Sequence, residues 1–192
     1  MNIYELLEKN VKRNPKTVFL VRENVTFEEM PNLIKARATT LKKAGVKPGD
    51  VVGLLSHNLP EFPITLFAIW YLGGTVLLLD TNLTPVEYDN MTERTGCKLV
   101  CAEKSFFYKS KNFEFFDIQT KDEDTDAKLK PYPLKDKDIA TLSFTSGSTG
   151  QPKIVPLSHF NLVSCSDNLE YLNQWLKPGE MFYAFLPLYH VF

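Results

Sequence analysis

Cysteine is scarce in this chain, and the little there is forms no pattern. Cys97, Cys101 and Cys165 are odd in number and lack Cys-x-x-Cys spacing, which argues against a disulfide framework and against a zinc site. They are expected to be reduced, structural thiols of a cytoplasmic protein. An excess of charge of one sign is also missing. The 22 basic and 23 acidic residues leave a formal net charge of −1, and with no sustained basic stripe nucleic acid is not an expected partner. The N-terminus, Met-Asn-Ile-Tyr-Glu-Leu-Leu-Glu-Lys, has neither the basic start nor the apolar core of a signal peptide. Uninterrupted apolar runs are short. The longest candidate, Phe62 to Leu79, carries no charge, but Pro63 and Gly73-Gly74 interrupt it. It therefore reads as a buried helix, a turn and a buried strand rather than a membrane span.

What is present is an ordinary globular composition and a repeated device for starting helices. Asn2 with Glu5, Thr26 with Glu29, Asn58 with Glu61 and Thr84 with Glu87 each place a capping side chain three residues before a glutamate, the arrangement of a capping box. Four helices are expected from them, with Pro85 at the first position of the last and Gly45 and Gly96 closing the second and fourth. Between them lie short runs rich in Val, Leu and Ile: Val51 to Leu55, Thr75 to Leu79 and Lys98 to Ala102. Strands alternating with helices predict an α/β fold, a layered and mostly parallel sheet with flanking helices. Val18 to Phe27 reads as a small hairpin turning near Glu23-Asn24. Residues from about 117 to 138 are polar and charge-mixed and read mainly as an exposed connector. Ser158 is placed to cap a helix reaching about Leu172, and Pro178-Gly179 to turn the chain into Met181 to Leu186.

The most informative stretch is Phe144 to Lys153, Phe-Thr-Ser-Gly-Ser-Thr-Gly-Gln-Pro-Lys. Its glycines let backbone N–H groups turn toward one point, its hydroxyls add donors, and its lysine adds a compact positive charge, a composition suited to a polyphosphate. The flanking runs Ile139 to Phe144 and Ile154 to Leu157 read as strands, so the loop joins strand to strand. A Walker A loop instead opens a helix and follows its last glycine with Lys-Ser/Thr. Here Gln151 and Pro152 separate Gly150 from Lys153, and Ile154 follows. A surface turn of the same composition would be a plain connector; the fixed Gly-x-x-Gly-x-Pro-Lys order between two strands is much narrower than that.

Thr145 to Lys153 resembles the phosphate loop of the adenylate-forming (AMP-binding) enzymes, the superfamily of acyl-CoA synthetases, peptide-synthetase adenylation domains and luciferases. Val25 to Met30 is similar to the family's short N-terminal motif and Trp70 to Val76 to its helix-to-strand segment. Leu186 to Phe192, Leu-Pro-Leu-Tyr-His-Val-Phe, is similar to the segment after the loop in long-chain fatty acid-CoA ligases. One departure is Ile154, where the family usually has glycine. A β-branched residue there stiffens the loop exit and favours strand.

The resemblance implies a carboxylic acid, expected to be a fatty acid, that attacks the α-phosphorus of ATP with Mg²⁺ and releases pyrophosphate, followed by transfer to CoA. It implies that Thr145, Ser146, Gly147, Ser148, Thr149, Gly150 and Lys153 grip the β- and γ-phosphates, and that His190 lies near the substrate carboxylate. Ser146 and Ser148 are not nucleophile candidates, since no Gly-x-Ser-x-Gly elbow or Ser-His-Asp set accompanies them. His57 and His159 read as structural or solvated residues, and Trp70 and Trp175 as packing residues. The catalytic lysine, the ribose-binding aspartate and the hinge of the family have no counterpart in this sequence. Residues 1–192 are thus expected to be the N-terminal portion of an AMP-binding domain, holding no catalytic residue and inactive by itself. A long acyl substrate would favour a peripheral membrane contact. Two other readings stand beside this one: a non-catalytic nucleotide-binding or scaffold module, and an enzyme that adenylates amino or aryl acids.

Overall fold

A computed structural model describes residues 1–122, 125–145, 152–168, 179–181 and 183–190. Helix α1 (Ile3–Arg13) opens on a full capping box in which Asn2 Oδ1 accepts from the Glu5 N–H and the Glu5 carboxylate accepts from the Asn2 N–H. A hairpin of β1 (Val18–Leu20) and β2 (Val25–Thr26) follows, with Asn24 in the left-handed region at the turn. Helix α2 (Met30–Lys43) begins later than expected. Glu29 accepts from both the N–H and the hydroxyl of Thr26, each at 2.7 Å, so that pair closes a turn ahead of the helix and Thr26 is not its cap.

The alternating units then run β3 (Val51–Leu55), α3 (Glu61–Tyr71), β4 (Thr75–Leu78), α4 (Pro85–Thr95) and β5 (Leu99–Ala102). The box at Thr84 and Glu87 forms as read, and Gly96 takes φ +69° to close α4, a conformation a side chain would strain. The box at Asn58 and Glu61 does not form. Pro60 precedes α3 without any side-chain cap, and the Asn58 amide is engaged elsewhere. A single 3₁₀ turn at Lys104–Phe106 leads to β6 (Glu114–Asp117), then come β7 (Ile139–Thr145), β8 (Lys153–Ser158) and α5 (His159–Asn168). Ser158 caps α5, its hydroxyl accepting from the Asn161 N–H; any continuation toward Leu172 lies outside the described residues.

Six strands form one sheet in the order β6-β5-β3-β4-β7-β8, parallel throughout except for β8, which runs antiparallel to β7. The chain moves from β3 to β4 in one direction and from β4 back across β3 to β5 in the other. Right-handed crossovers must then put α3 and α4 on opposite faces. They do. Met30, Ile34 and Leu41 of α2 and Phe62, Ile69 and Trp70 of α3 pack with Val52, Leu54 and Val76 on one face. Tyr88 and Met91 of α4 pack with Leu55, Leu77, Leu79 and Val100 on the other. Gly53 lets the middle strands close up, since a Cβ there would stand 2.8 Å from Val100 Cγ2. Two cysteines belong to this interior, where burial pushes the Cys97 thiol up to about 11 and the Cys101 thiol up to about 12. Cys165, read with them as a reduced structural thiol, is exposed.

The sheet extends beyond the strands predicted from sequence. No strand was expected over 114–117, yet the aromatic run Phe113–Phe116 supplies β6. The connector after it is largely exposed but sewn down. Buried Arg37 of α2 pairs with Asp122 and donates to the carbonyls of Ile118 and Thr120 and to the Thr65 hydroxyl. Leu129 and Leu134 pack against the core.

Candidate active site

The carboxyl ends of β4 and β7 meet the edge strand β8 and the last described segment of the chain. The antiparallel ladder pairs Thr145, the last residue of β7, directly with Lys153, the first of β8. Opposite residues on an antiparallel pair point to the same face, so the hydroxyl and the ammonium flank the two ends of the phosphate-loop sequence together. Ser146, Gly147, Ser148, Thr149 and Gly150 lie outside the described residues. Ile154 continues β8, paired with Phe144, as its β-branched side chain predicts.

A cleft of about 570 Å³ opens beside this pair, with Thr145, Ser143, Pro152, Asp80 and His190 on its walls. Thr145 and His190, 45 positions apart in sequence, thus line one cavity. Lys153 is exposed, next in sequence to Pro152 on the cleft wall. A larger depression, about 750 Å³, lies at the amino ends of β3 and β5 beside Lys47 and Lys98. Open α/β sheets bind ligands outside the carboxyl ends of their strands, and none of the described site candidates Thr145, Lys153 and His190 lines that depression. We therefore place the candidate site in the smaller cleft.

Sequence reading did not assign three residues that shape it. Burial alone would push the Asp80 carboxyl up, but hydrogen bonds from the Asn82 N–H and side-chain amide and from the Tyr189 hydroxyl, with the His190 charge nearby, hold it below the usual carboxylate range. Asp80 ends the Thr75–Leu79 run, so its place beyond a strand end was visible in the sequence although its partners were not. Tyr189 is buried, and its hydroxyl accepts from Thr81 and Asn82. Arg94, in the last turn of α4, lays its guanidinium 5.2 Å from the Phe144 ring centre and donates to the Pro152 carbonyl at 2.9 Å. It thereby bridges the residues on either side of the loop, a role with no local sequence signal. Glu87 also lines the cleft, but its carboxylate accepts from the Thr84 N–H and hydroxyl, which hold it low.

The remaining histidines and Trp70 lie away from the cleft. His57 is exposed against Glu103, and His159 is buried edge-on to Trp70. Trp70 is a packing residue whose indole N–H donates to the Ala140 carbonyl. Trp175 lies outside the described residues. Among the described residues, no helix is long and apolar enough to cross a membrane and no three His, Cys, Asp or Glu side chains converge as metal ligands.

A family profile described as AMP-binding enzyme matches residues 7–192. The chain belongs to that family. It is 30% identical over 173 residues to 2-succinylbenzoate–CoA ligase of Oceanobacillus iheyensis, covering 88% of this chain and 35% of that one. It is 27% identical over 193 residues to 4-coumarate–CoA ligase 3 of rice (Oryza sativa), covering 88% and 34%. The structure of o-succinylbenzoate-CoA synthetase from Bacillus subtilis, solved with its acyl-adenylate intermediate, superposes with a TM-score of 0.81 at 26% identity, over 99% of this chain and 50% of that one. The AMP-binding chain described here thus spans about a third of the length of these curated relatives. None of the three is a long-chain fatty acid-CoA ligase, so the finer resemblance read from Leu186 to Phe192 does not gain their support.

Proposed function

We propose that residues 1–192 form the N-terminal portion of an AMP-binding domain whose whole enzyme converts a carboxylic acid and ATP to an acyl adenylate and pyrophosphate, then passes the acyl group to CoA. The observation that carries this reading is the pairing of Thr145 with Lys153 across the mouth of the loop, beside a cleft that also holds His190. In this reading Thr145, the hydroxyls and glycines of 146–150 and Lys153 hold the β- and γ-phosphates, and stabilise the charge that gathers on pyrophosphate as it leaves. His190 meets the acid's carboxylate. Mg²⁺ fits as a companion of the nucleotide rather than a resident of the cleft, because the nearby Asp80 and Glu87 carboxylates already accept hydrogen bonds.

The acid is read as an aryl or arylalkyl carboxylate. Relatives named for 4-coumarate and 2-succinylbenzoate support this class over a fatty acid, and the cleft lies within the size range of about 300–1,000 Å³ usual for small-molecule sites. A binding or scaffold module is the reading this one displaces. The test is pyrophosphate release by the complete reading frame, offered 4-coumarate, 2-succinylbenzoate, a long-chain fatty acid and an amino acid. Lys153→Ala is expected to lower kcat on the order of 10²–10³-fold, with Lys153→Arg recovering part of it. Full activity and unchanged ATP affinity in Lys153→Ala would remove the lysine from this role, and the absence of release with every acid would favour the binding module.

A further inference from the structure

Asn58 stands in the loop after β3, where its spacing to Glu61 suggests a helix cap. Its amide is used quite differently. Nδ2 donates to the carbonyls of Ala184 at 2.9 Å and Leu186 at 2.8 Å, and Oδ1 accepts from the Leu188 N–H at 2.9 Å. A primary amide offers two N–H donors and one carbonyl. All are engaged, so one side chain supplies what a neighbouring strand would supply to this stretch of backbone.

Among the described residues that stretch has little else to hold it. The described residues between 183 and 188 form neither helix nor strand. Tyr183 is 81% exposed and Phe185 70%, so burial contributes little here. The loop that presents Asn58 is itself fixed. Glu103, just past the end of β5, accepts from the His57 N–H at 2.7 Å, from the His57 ring at 2.9 Å and from the Ser56 hydroxyl at 3.1 Å. This ties together the carboxyl ends of β3 and β5, the two adjacent strands whose connections diverge. Beyond Leu188 the chain dives inward at Tyr189 and reaches the cleft at His190.

We infer that Asn58 is a positioning residue, whose amide sets the path of residues 184–188 and through them the place of His190 over the cleft. Asn58 does not line the cleft and acts only through the backbone it holds. The inference rests on the reading of that cleft as the acid-binding site, and its two links are tested separately in the complete enzyme. The first readout is hydrogen–deuterium exchange of peptides covering 183–190. Asn58→Ala is expected to speed exchange there about tenfold, with peptides of α2 unchanged. The second is the kinetics of pyrophosphate release with the best acid of the panel. The KM for the acid rises about tenfold, kcat falls less than threefold and the KM for ATP stays the same. Asn58→Gln, which keeps both donors and the acceptor, recovers part of each effect.

Unchanged exchange over 183–190 in Asn58→Ala overturns the inference at its first link. Faster exchange with an unchanged acid KM overturns it at the second while leaving the adenylation reading intact. An enzyme that releases no pyrophosphate with any acid overturns the adenylation reading and the kinetic link with it, and the exchange result still decides whether Asn58 holds the segment.

Discussion

The two halves of the sheet are built to different standards. Around β3, β4 and β5 the side chains of Leu54, Leu55, Leu77, Leu79, Val100 and Ala102 are fully buried, and of the helices that cover them α4 carries the cap read from the sequence. Around β7 and the start of α5 the interior is polar and incompletely satisfied. The buried side-chain atoms that meet no hydrogen-bond partner among the described residues are Thr141 Oγ1, Ser143 Oγ and both ring nitrogens of His159. Buried polar groups are ordinarily paired, and sites of function are where that rule is most often relaxed. The cleft opens where the two halves meet, between the β4 and α4 side and the β7 and β8 side.

The largest expected effect tests the buried charge that stands, among the described residues, inside the apolar half. Arg37 is 3% exposed, and all three of its guanidinium nitrogens find acceptors. Arg37→Ala leaves Asp122, two carbonyls and a hydroxyl without their donor, and is expected to cost about 3–5 kcal/mol, read as a lower urea midpoint. Arg37→Lys should recover less than half, because one ammonium cannot reach acceptors spread around a planar fork. A cost below about 1 kcal/mol would mean that the connector is not sewn to the core, and the contrast between the halves would lose its sharpest case.

The same contrast explains what could be read from the sequence. Periodicity, caps and apolar runs reported β3, β4, β5 and their helices because each is fixed by its own residues: Asn2 and Glu5, Thr84 and Glu87, Gly96. The loop from Thr145 to Lys153 stood out by its local composition, and the strands read on either side of it pair, Thr145 opposite Lys153. What escaped was non-local. Arg37 reaches a connector more than eighty positions away, Arg94 bridges Phe144 and Pro152, and Asn58 binds a segment more than one hundred and twenty positions away. Asn58 was misread because an Asn three residues before a Glu has the same pattern whether or not the helix uses it. β6 escaped because a four-residue edge strand has no period to show.

A smaller effect, and a pH-dependent one, comes from His159. Burial pushes its imidazole below its ordinary value of 6.5, with the Asp138 charge pulling the other way. The unfolded chain therefore takes up a proton that the folded chain refuses. Stability contributed by the neutral ring is present above about pH 6.5 and falls as the pH drops toward the depressed folded value, at no more than about 1.4 kcal/mol per pH unit. His159→Phe, which keeps an aromatic ring against Trp70, should flatten the urea midpoint between pH 7 and pH 5. An equally steep profile in that variant would assign the acid sensitivity to another group.

The smallest effect bears on whether the unpartnered hydroxyls of β7 are a cost to the fold. Thr141 is 3% exposed, and its hydroxyl meets no hydrogen-bond partner among the described residues. Thr141→Val replaces that hydroxyl with a methyl group of nearly the same shape, and is expected to leave stability unchanged or raise it by up to about 1 kcal/mol, since removing an unsatisfied buried polar group relieves its desolvation penalty. In the apolar half a Thr→Val change at Thr92 should go the other way, because the Thr92 hydroxyl donates to the Tyr88 carbonyl at 2.8 Å. If Thr141→Val destabilises the protein as much as Thr92→Val does, the hydroxyl of Thr141 has a partner in solution and the polar half is as well satisfied as the apolar one.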